Sequence, residues 1–242
     1  MILNKSNILI AFIIMLCVSF ALFQVQGEYL VSAISKSLIV PLITLVYFIN
    51  VKDKSIYFTG FLVLFSISEL STVAQFYLDT TTALDTYYVI GNTIYILAYI
   101  LLLIEVLKDL DFKKVFKNYK LSLSILAVLN VYIVYMLITI VYPVIDHSNL
   151  IYIELVYNIV MLLLLTFALI NYSYNDNKKT LLLFIGCLCI VFSEFIQVAY
   201  FYISETDILN FTSTLLFVMA FFFFYLHART RSVKTFKWII KS

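Results

Sequence analysis

Apolar residues run along this chain in long stretches, and short polar segments separate them. A helix that crosses the hydrocarbon core of a membrane needs about 20 mostly apolar residues. Strands of a membrane barrel are not expected, because their residues would alternate between apolar and polar. The pattern predicts eight transmembrane helices, at residues 7–25, 30–50, 56–78, 87–107, 121–142, 150–172, 180–203 and 208–227.

The composition also indicates a membrane protein. Of the 242 residues, 64% are hydrophobic and 12% are charged, whereas soluble domains are about 45–50% apolar and about 25% charged. The mean hydropathy is +1.04. These values exclude a soluble enzyme and a nucleic-acid-binding protein. Because the connections are short, we predict an all-α protein with a single transmembrane domain over residues 1–242 and membrane lipid as its partner.

Basic residues concentrate in alternate connections. If the N-terminus is cytoplasmic, 15 of the 16 Lys and Arg residues fall in cytoplasmic segments, where such residues stay. The remaining one, Lys36, lies inside the second span. We therefore predict a multi-pass protein of the cytoplasmic membrane with both termini in the cytoplasm. The alternative is that the first span is a cleaved signal peptide, but no clear small-residue cleavage site follows it.

Two basic segments on the predicted cytoplasmic side are amphipathic. One covers residues 108–120, and the other covers residues 229–241 with Trp238 as an anchor. Such segments either anchor the topology at the leaflet surface or recognise anionic lipid. We favour anchoring, because every multi-pass protein needs it. The apolar set of the first segment is Leu110, Val115, Phe116 and Tyr119.

An internal repeat relates the two halves of the chain. Residues 68–78 match residues 193–203 at six of eleven positions, with an offset of 125 residues. Both segments begin with Ser-Glu and continue with Val-Ala and Phe-Tyr. The matching spans are four apart, so the halves, approximately 30–107 and 150–227, point the same way through the membrane. Parallel repeats typically hold their binding site near the repeat interface.

The repeat places two carboxyl groups, Glu69 and Glu194, at matching depth inside the predicted spans. Each lies nine residues from the exterior end of its span, or about 13 Å at 1.5 Å per residue. Burying such a group costs about 2.5–3.5 kcal/mol on insertion scales, so both should face the bundle interior. Other polar residues in the same exterior half are candidate substrate-binding residues: Lys36, Asn92, Glu154 and Asn158.

These residues predict a polar chamber that opens toward the exterior, because the cytoplasmic halves of the spans read as nearly pure Leu, Ile, Val and Phe. Two carboxyl groups near a lysine are suited to acid–base hydrolysis, with one group protonated and the other ionised beside Lys36. The competing interpretation is a structural polar network that specifies helix packing. The residues alone favour neither.

No metal or cofactor is expected. The chain has two histidines, His147 in a predicted exterior loop and His227 at a predicted cytoplasmic end, too few for a zinc or di-iron hydrolase. No Gly-rich phosphate loop is present. The three cysteines lie in apolar runs and are interpreted as small hydrophobic residues; they are Cys17, Cys187 and Cys189.

Three short motifs resemble those of the YhhN-like lysoplasmalogenases, which are eight-helix membrane proteins. Residues 36–42, Lys-Ser-Leu-Ile-Val-Pro-Leu, look like the family's Lys-Pro-Leu segment. Residues 65–70 resemble its Phe-Ser-Leu-Leu-Gly-Asp segment, and Ser193-Glu194 resembles its second acidic motif. Here Ser-Glu stands in place of Gly-Asp in both halves, and Ser37 stands in place of the proline that follows the lysine.

The resemblance implies hydrolysis of the vinyl-ether bond of a lysoplasmalogen, with Glu69 and Glu194 as the acidic pair and Lys36 as the lysine of the second span. We expect the single chain of the lysolipid in the Phe- and Leu-rich interior and its head group near Lys36 and Asn92. The alternative is a non-catalytic transporter or sensor that binds a small amphiphile, because parallel repeats and buried carboxyl groups also suit proton coupling. A third interpretation is a structural protein whose acids only specify packing.

Overall fold

The structure, a computed structural model, describes residues 5–145 and 150–230 of the chain. Throughout that part the regular elements are helices: α1 (Lys5–Val25), α2 (Tyr29–Ser37), α3 (Ile39–Asn50), α4 (Ile56–Ser71), a 3₁₀ helix (Thr72–Tyr77), α5 (Thr81–Leu107), α6 (Phe112–Asn118), α7 (Lys120–Ile145), α8 (Leu150–Asn175), α9 (Lys178–Tyr202) and α10 (Asp207–Arg229). Eight segments are long and apolar enough to cross a membrane, taking α2 with α3 and α4 with the 3₁₀ helix. The all-α class and the eight predicted helices are confirmed.

Capping residues mark the ends of helices, and at α5 the cap lies outside the apolar run. Helix α5 begins at Thr81 rather than near residue 87, because the side chain of Thr80 accepts a hydrogen bond from the backbone N–H of Ala83 at 3.3 Å. Helix α1 ends at Val25, and Gly27 follows with φ +78°. Glycine adopts this left-handed conformation without steric cost, which is why it commonly ends a helix.

The regular helix of the second span is interrupted for one residue, Leu38, between α2 and α3, while the backbone of Leu38 stays in the right-handed helical region. Pro41 lies four residues after Ser37 and has no N–H to donate to the carbonyl of Ser37, so the continuous helical ladder is interrupted at that carbonyl. The backbone N–H of Leu38 donates to the carbonyl of Ile34 at 3.3 Å. Helix α2 therefore ends one residue after Lys36, close to the candidate site.

Six of the eight spans form a ring, and two lie outside it. Around the ring α3 contacts α4, α4 contacts α5, α5 contacts α8, α8 contacts α9, α9 contacts α10, and α10 contacts α3. Helix α1 packs on α2 and α3, while α7 packs mainly on α8. Each of these neighbour relations in the first four spans has a counterpart in the last four. A parallel repeat predicts this pattern, and the repeat itself stays a prediction from the sequence.

Phenylalanine side chains fill the centre of the ring; we call Phe58, Phe61, Phe65, Phe217, Phe221 and Phe224 the aromatic core. Phe61 and Phe65 on α4 and Phe221 and Phe224 on α10 are all 0% exposed. The rings of Phe65 and Phe221 meet edge to face with centroids 4.9 Å apart, and those of Phe61 and Phe221 stack at 5.9 Å. Such contacts stabilise beyond the burial of area alone. The centre of the molecule is closed at this level.

The half of the bundle that holds the ends of α3 and α5 is more polar than we expected. The buried carboxyl of Glu105 pairs with Lys108 and accepts a hydrogen bond from Ser55. His227, expected near the membrane interface, is buried, packs on Phe58, and has its Nδ1 2.8 Å from the carbonyl oxygen of Lys179. The prediction of a half that is nearly pure Leu, Ile, Val and Phe is wrong, because Glu105 lies within an apolar run, where it pairs with Lys108 at the end of α5 and with Ser55 just before α4.

The apolar set of residues 108–120 faces the protein rather than a lipid surface. Leu110 and Val115 are buried against Ile170 of α8, and the hydroxyl of Tyr119 donates to the carbonyl of Ser173 at 2.8 Å. Phe116 is the exception, since it is 59% exposed. This segment is docked on the bundle. His147 and the amphipathic stretch from residue 231 onward, including Trp238, lie outside the described residues.

Candidate functional site

A polar cavity of about 400 Å³ lies between the two halves of the ring, on the side where α1, α9 and the 3₁₀ helix end. Seven of the eight spans contribute to its wall, and α7 does not. All six residues that the sequence singled out lie on this wall: Lys36, Glu69, Asn92, Glu154, Asn158 and Glu194. Gln75 and Gln197, which flank the two carboxyl groups in sequence, line it as well.

The serine of each Ser-Glu pair ties its helix to the next one. The hydroxyl of Ser68 donates to the carbonyl of Gly91 on α5 at 3.4 Å, and that of Ser193 donates to the carbonyl of Ser213 on α10 at 2.7 Å. Both serines are buried. The two halves thus use the same residue for the same inter-helix contact, which leaves the neighbouring glutamate to face the cavity.

Two tyrosines of α5 hold the two glutamates. The hydroxyl of Tyr95 donates to Oε1 of Glu69 at 2.8 Å, and the hydroxyl of Tyr99 donates to Oε1 of Glu194 at 3.0 Å. Residues four apart in a helix lie on one face, so one helix contacts the carboxyl groups of both halves. The two carboxyl groups also interact electrostatically with each other.

The sequence reasoning missed these tyrosines, although a signal for them was present. Tyr88, Asn92, Tyr95 and Tyr99 follow the spacing of a single helical face along α5. Tyrosine is common in membrane helices, so each residue alone appeared uninformative. Tyr157 of α8 completes this set, because it interacts with both Tyr99 and Glu194.

Glu154 and Asn158 form the α8 side of the cavity. They are 6% and 1% exposed, and the amide of Asn158 donates to Oε1 of Glu154 at 3.2 Å. The other oxygen of Glu154 accepts a hydrogen bond from the hydroxyl of Tyr88 at 2.5 Å. Asn92 directs its amide nitrogen to the carbonyl of Tyr88 in its own helix, at 2.9 Å. The predicted pairing of residues 154 and 158 on one helical face is therefore present.

Lys36 reaches the cavity from the last turn of α2. Its Nζ lies 5.7 Å from the centroid of the Phe217 ring, within the range of a cation–π contact. Lys36 interacts electrostatically with Glu69 and with Glu194. In residues 5–145 and 150–230 the ion pairs within 4 Å join Glu105 to Lys108 and Asp111 to Lys114. Lys36 thus contacts an aromatic ring and faces both acids without closing a salt bridge to either.

The aromatic core forms the floor of this cavity. Phe217 lines the cavity, and its ring contacts those of Phe65 and Phe221, with centroids 5.9 and 5.0 Å away. Phe65 also packs edge to face on Tyr95 at 4.8 Å. These rings pack closely together and fill the described interior directly below the cavity. The expectation that a lipid chain lies in the Phe- and Leu-rich interior stays a prediction.

Eight helices long and apolar enough to cross a membrane, seven of which line a polar cavity, fit the class of multi-pass membrane proteins. Comparisons with family models, with curated proteins and with solved structures found no match. The resemblance to lysoplasmalogenases therefore rests on the three short motifs described above.

Proposed function

We propose that this protein is an integral membrane hydrolase that cleaves the vinyl-ether bond of a lysolipid by acid–base chemistry. The supporting observation is that Glu69 and Glu194, from matching positions in the two halves, line one cavity together with Lys36. In glycoside hydrolases, two carboxyl groups flank the reacting centre and stabilise an oxocarbenium-like transition state. The resemblance of the motifs points to the same reaction.

In the proposed reaction one carboxyl group, in its protonated form, donates its proton to the vinyl carbon remote from the ether oxygen. The resulting oxocarbenium ion is stabilised by the second, ionised carboxylate. That carboxylate then takes a proton from a water molecule as the water oxygen bonds to the cationic carbon, which gives a hemiacetal.

Collapse of the hemiacetal breaks the bond between carbon and the glycerol oxygen. The second carboxyl group returns its proton to that oxygen, while the hemiacetal hydroxyl gives its proton to the first carboxylate. One water is consumed, one fatty aldehyde and one glycerophospho product are formed, and both acids return to their starting states. In this mechanism Lys36 binds the phosphate of the head group, and Tyr95 and Tyr99 orient the two carboxyl groups.

The proposal includes a cell-membrane location with both termini in the cytoplasm. The basic connections then lie in the cytoplasm, and the cavity opens toward the opposite face, where Glu28, Asp79, Asp85 and Glu205 lie. A substrate would enter from the exterior leaflet.

Aldehyde release from a lysoplasmalogen by the purified protein tests the proposal. We expect turnover by the wild type and a loss of at least about 100-fold in Glu69→Gln and in Glu194→Gln, the usual scale for an acid or base. Glu205→Gln, at an exposed position after α9, is the matched control and should leave turnover unchanged. Turnover that is the same in the wild type and in both cavity variants would reject acid–base hydrolysis at this site.

A proton-coupled transporter is the second candidate, and the break at Leu38 favours it. Transporters commonly bind their substrates where a membrane helix is discontinuous, and α2 ends one residue after Lys36. This candidate predicts uptake of a small amphiphile into vesicles that depends on a proton gradient. Uptake that persists when the gradient is collapsed would count against it.

A further inference from the structure

Helix α6 is held against one end of the bundle, in the basic connection between α5 and α7. Val115 of α6 is 0% exposed and packs on Ile170 of α8. Just after the helix, the hydroxyl of Tyr119 donates to the carbonyl of Ser173 at 2.8 Å. These two contacts fix the orientation of α6, so the rest of its surface presents side chains in a defined arrangement.

Two phenylalanine rings of α6 stay outside the core of the protein. Phe112 and Phe116 are 43% and 59% exposed. The two residues are four apart, so they lie on one face of the helix. Helix α7, which is long and apolar enough to cross a membrane, begins at Lys120. Exposed aromatic side chains at the end of such a helix fit the boundary between lipid head groups and acyl chains.

Three lysines on and after α6 have no acidic partner among the described residues. Lys113, Lys117 and Lys120 are exposed, and in the described part of the chain no carboxylate lies within 4 Å of their ammonium groups. Lys114 differs, because its Nζ lies 3.0 Å from Oδ2 of Asp111. Lys113 and Lys117 are four residues apart, so both ammonium groups can contact one anion.

The docked, aromatic and basic faces follow one another around α6. At about 100° per residue, Phe112 and Phe116 lie next to the docked Val115, and Lys113 and Lys117 come after them. An interfacial helix has this arrangement, with its apolar side chains in the acyl region and its lysines at the level of the phosphates. A topology anchor needs only the positive charges, whereas α6 holds charges and rings together in one fixed geometry.

We propose that α6 forms a binding site for one anionic phospholipid. Its phosphate contacts Lys113 and Lys117, and its acyl chains pack on Phe112 and Phe116. The exposed rings favour a lipid over a free phosphate or an acidic peptide, because hydrocarbon alone buries them. The lysines favour an anionic head group, since a zwitterionic one carries its own cation. The predicted topology places α6 at the cytoplasmic leaflet, which is rich in anionic lipid.

Fluorescence quenching at the site tests the proposal. Trp238→Phe removes the one native tryptophan, and Phe116→Trp then places a single fluorophore on α6. In vesicles, brominated phosphatidylglycerol should half-saturate the quenching at a mole fraction at least about fivefold lower than brominated phosphatidylcholine. Phe222→Trp in the same background is the matched control, because Phe222 is 53% exposed on α10, and both lipids should quench it equally. Equal quenching of Phe116→Trp by the two lipids would overturn the proposal and leave α6 as a topology anchor.

Removal of the two lysines should abolish this selectivity. Adding Lys113→Gln and Lys117→Gln to the Phe116→Trp reporter should raise the half-saturating fraction of phosphatidylglycerol at least about tenfold, because each basic residue near an anionic lipid contributes about fivefold. Both positions are exposed, so α6 stays docked. Lys52→Gln with Arg229→Gln removes two exposed charges at other span ends and should change nothing. An equal loss of selectivity in both pairs would assign it to net charge and reject a site on α6.

Soluble anions separate a lipid site from other uses of the same lysines. At matched ionic strength, neither glycerol phosphate nor a polyglutamate peptide should displace brominated phosphatidylglycerol from the Phe116→Trp reporter, because neither of them buries the aromatic rings. Displacement by glycerol phosphate would mean that a head group alone binds, and displacement by the peptide would mean that α6 docks an acidic protein. Either result would overturn the proposal. No cavity residue is changed, so these results are independent of the proposed reaction.

Discussion

Two phenol hydroxyl groups determine how the carboxyl groups of the cavity are held. Tyr95 and Tyr99 each donate one hydrogen bond to a glutamate, and Tyr99 is 0% exposed. A carboxyl group inside a membrane protein has few other partners. Tyr95 therefore helps to orient Glu69, and Tyr99 orients Glu194 together with Tyr157.

Tyr99→Phe tests this role. The variant should lower the free energy of unfolding in detergent by about 0.5–1.5 kcal/mol, the usual range for a hydrogen bond within a membrane protein. Thermal unfolding measures the change. Tyr132→Phe is the control, because Tyr132 is 60% exposed on α7, and it should have no effect. Equal stability of the two variants would show that the hydrogen bond from Tyr99 to Glu194 contributes nothing to the free energy of unfolding.

Among single residues, the sequence identified the site residues whose burial inside a membrane span costs the most free energy. Glu69 and Glu194 stood out because a carboxyl group in an apolar span needs a reason to be there, and both line the cavity. Tyr95 and Tyr99 did not stand out, because a tyrosine can lie in lipid, at an interface or in a core. Their partners depend on which helix packs next to α5, and the sequence does not contain that information in readable form.

Two glycines show how closely neighbouring elements pack. Helices α9 and α10 meet at Gly186, where an added Cβ would lie 2.6 Å from the ring of Phe224. That ring is fully buried and packs on Phe61 and Phe221, so moving it would disturb the aromatic core. At Gly91 of α5, an added Cβ would meet no atom within 4 Å.

Gly186→Ala and Gly91→Ala should therefore have opposite effects. We expect the first to lower the free energy of unfolding by about 1–3 kcal/mol through overpacking. The second should raise it by roughly 0.5–1 kcal/mol, because alanine stabilises a helix relative to glycine. Thermal unfolding in one detergent compares them directly. A stabilised Gly186→Ala variant would mean that α9 and α10 are farther apart than the structure shows.

The two prolines provide a matched test of the broken span. Pro41→Ala supplies the N–H that Ser37 lacks, so α2 and α3 should join and Lys36 should move. We expect slower hydrogen exchange around residues 37–42 and, if the proposed reaction occurs, turnover about 100-fold lower, the effect of a displaced positioning group. Pro143→Ala in α7, which is exposed and away from the cavity, should leave turnover intact. Unchanged exchange in Pro41→Ala would contradict the assigned cause of the break.

The eight long helices were predictable, because the length of an apolar run alone defines such a helix. The ends and interruptions of these helices were harder to predict. Thr80 extends α5 beyond its apolar run, and Leu38 interrupts a run that reads as continuous. Residues 108–120 differ from the prediction for a related reason. An amphipathic face shows that a helix needs an apolar partner, and here Ile170 of α8 supplies what we had assigned to the membrane surface.

For the molecule as a whole, the distribution of basic residues gives a testable orientation. Thr80 and Lys178 are exposed at opposite ends of the bundle. Thr80→Cys should react with a membrane-impermeant maleimide in intact cells, whereas Lys178→Cys should react only after permeabilisation. The native cysteines are a low background, because Cys187 and Cys189 are buried and Cys17 is half-buried. Labelling of Lys178→Cys in intact cells would contradict the predicted topology.

The common cavity was anticipated from the matched depth of two acids in a repeat, and the six candidate residues do line one wall. The polar contacts at the opposite end of the bundle were not predicted. Glu105 and Lys108 lie three residues apart at the end of α5, and Ser55, just before α4, joins them only when α4 and α5 pack together.

One helix, α5, contacts both glutamates of the cavity. Tyr95 and Tyr99 are one turn apart on α5, so a translation or rotation of that helix changes the contacts to Glu69 and Glu194 together. A substitution that shifts α5 should therefore alter the hydrogen bonding of both carboxyl groups together.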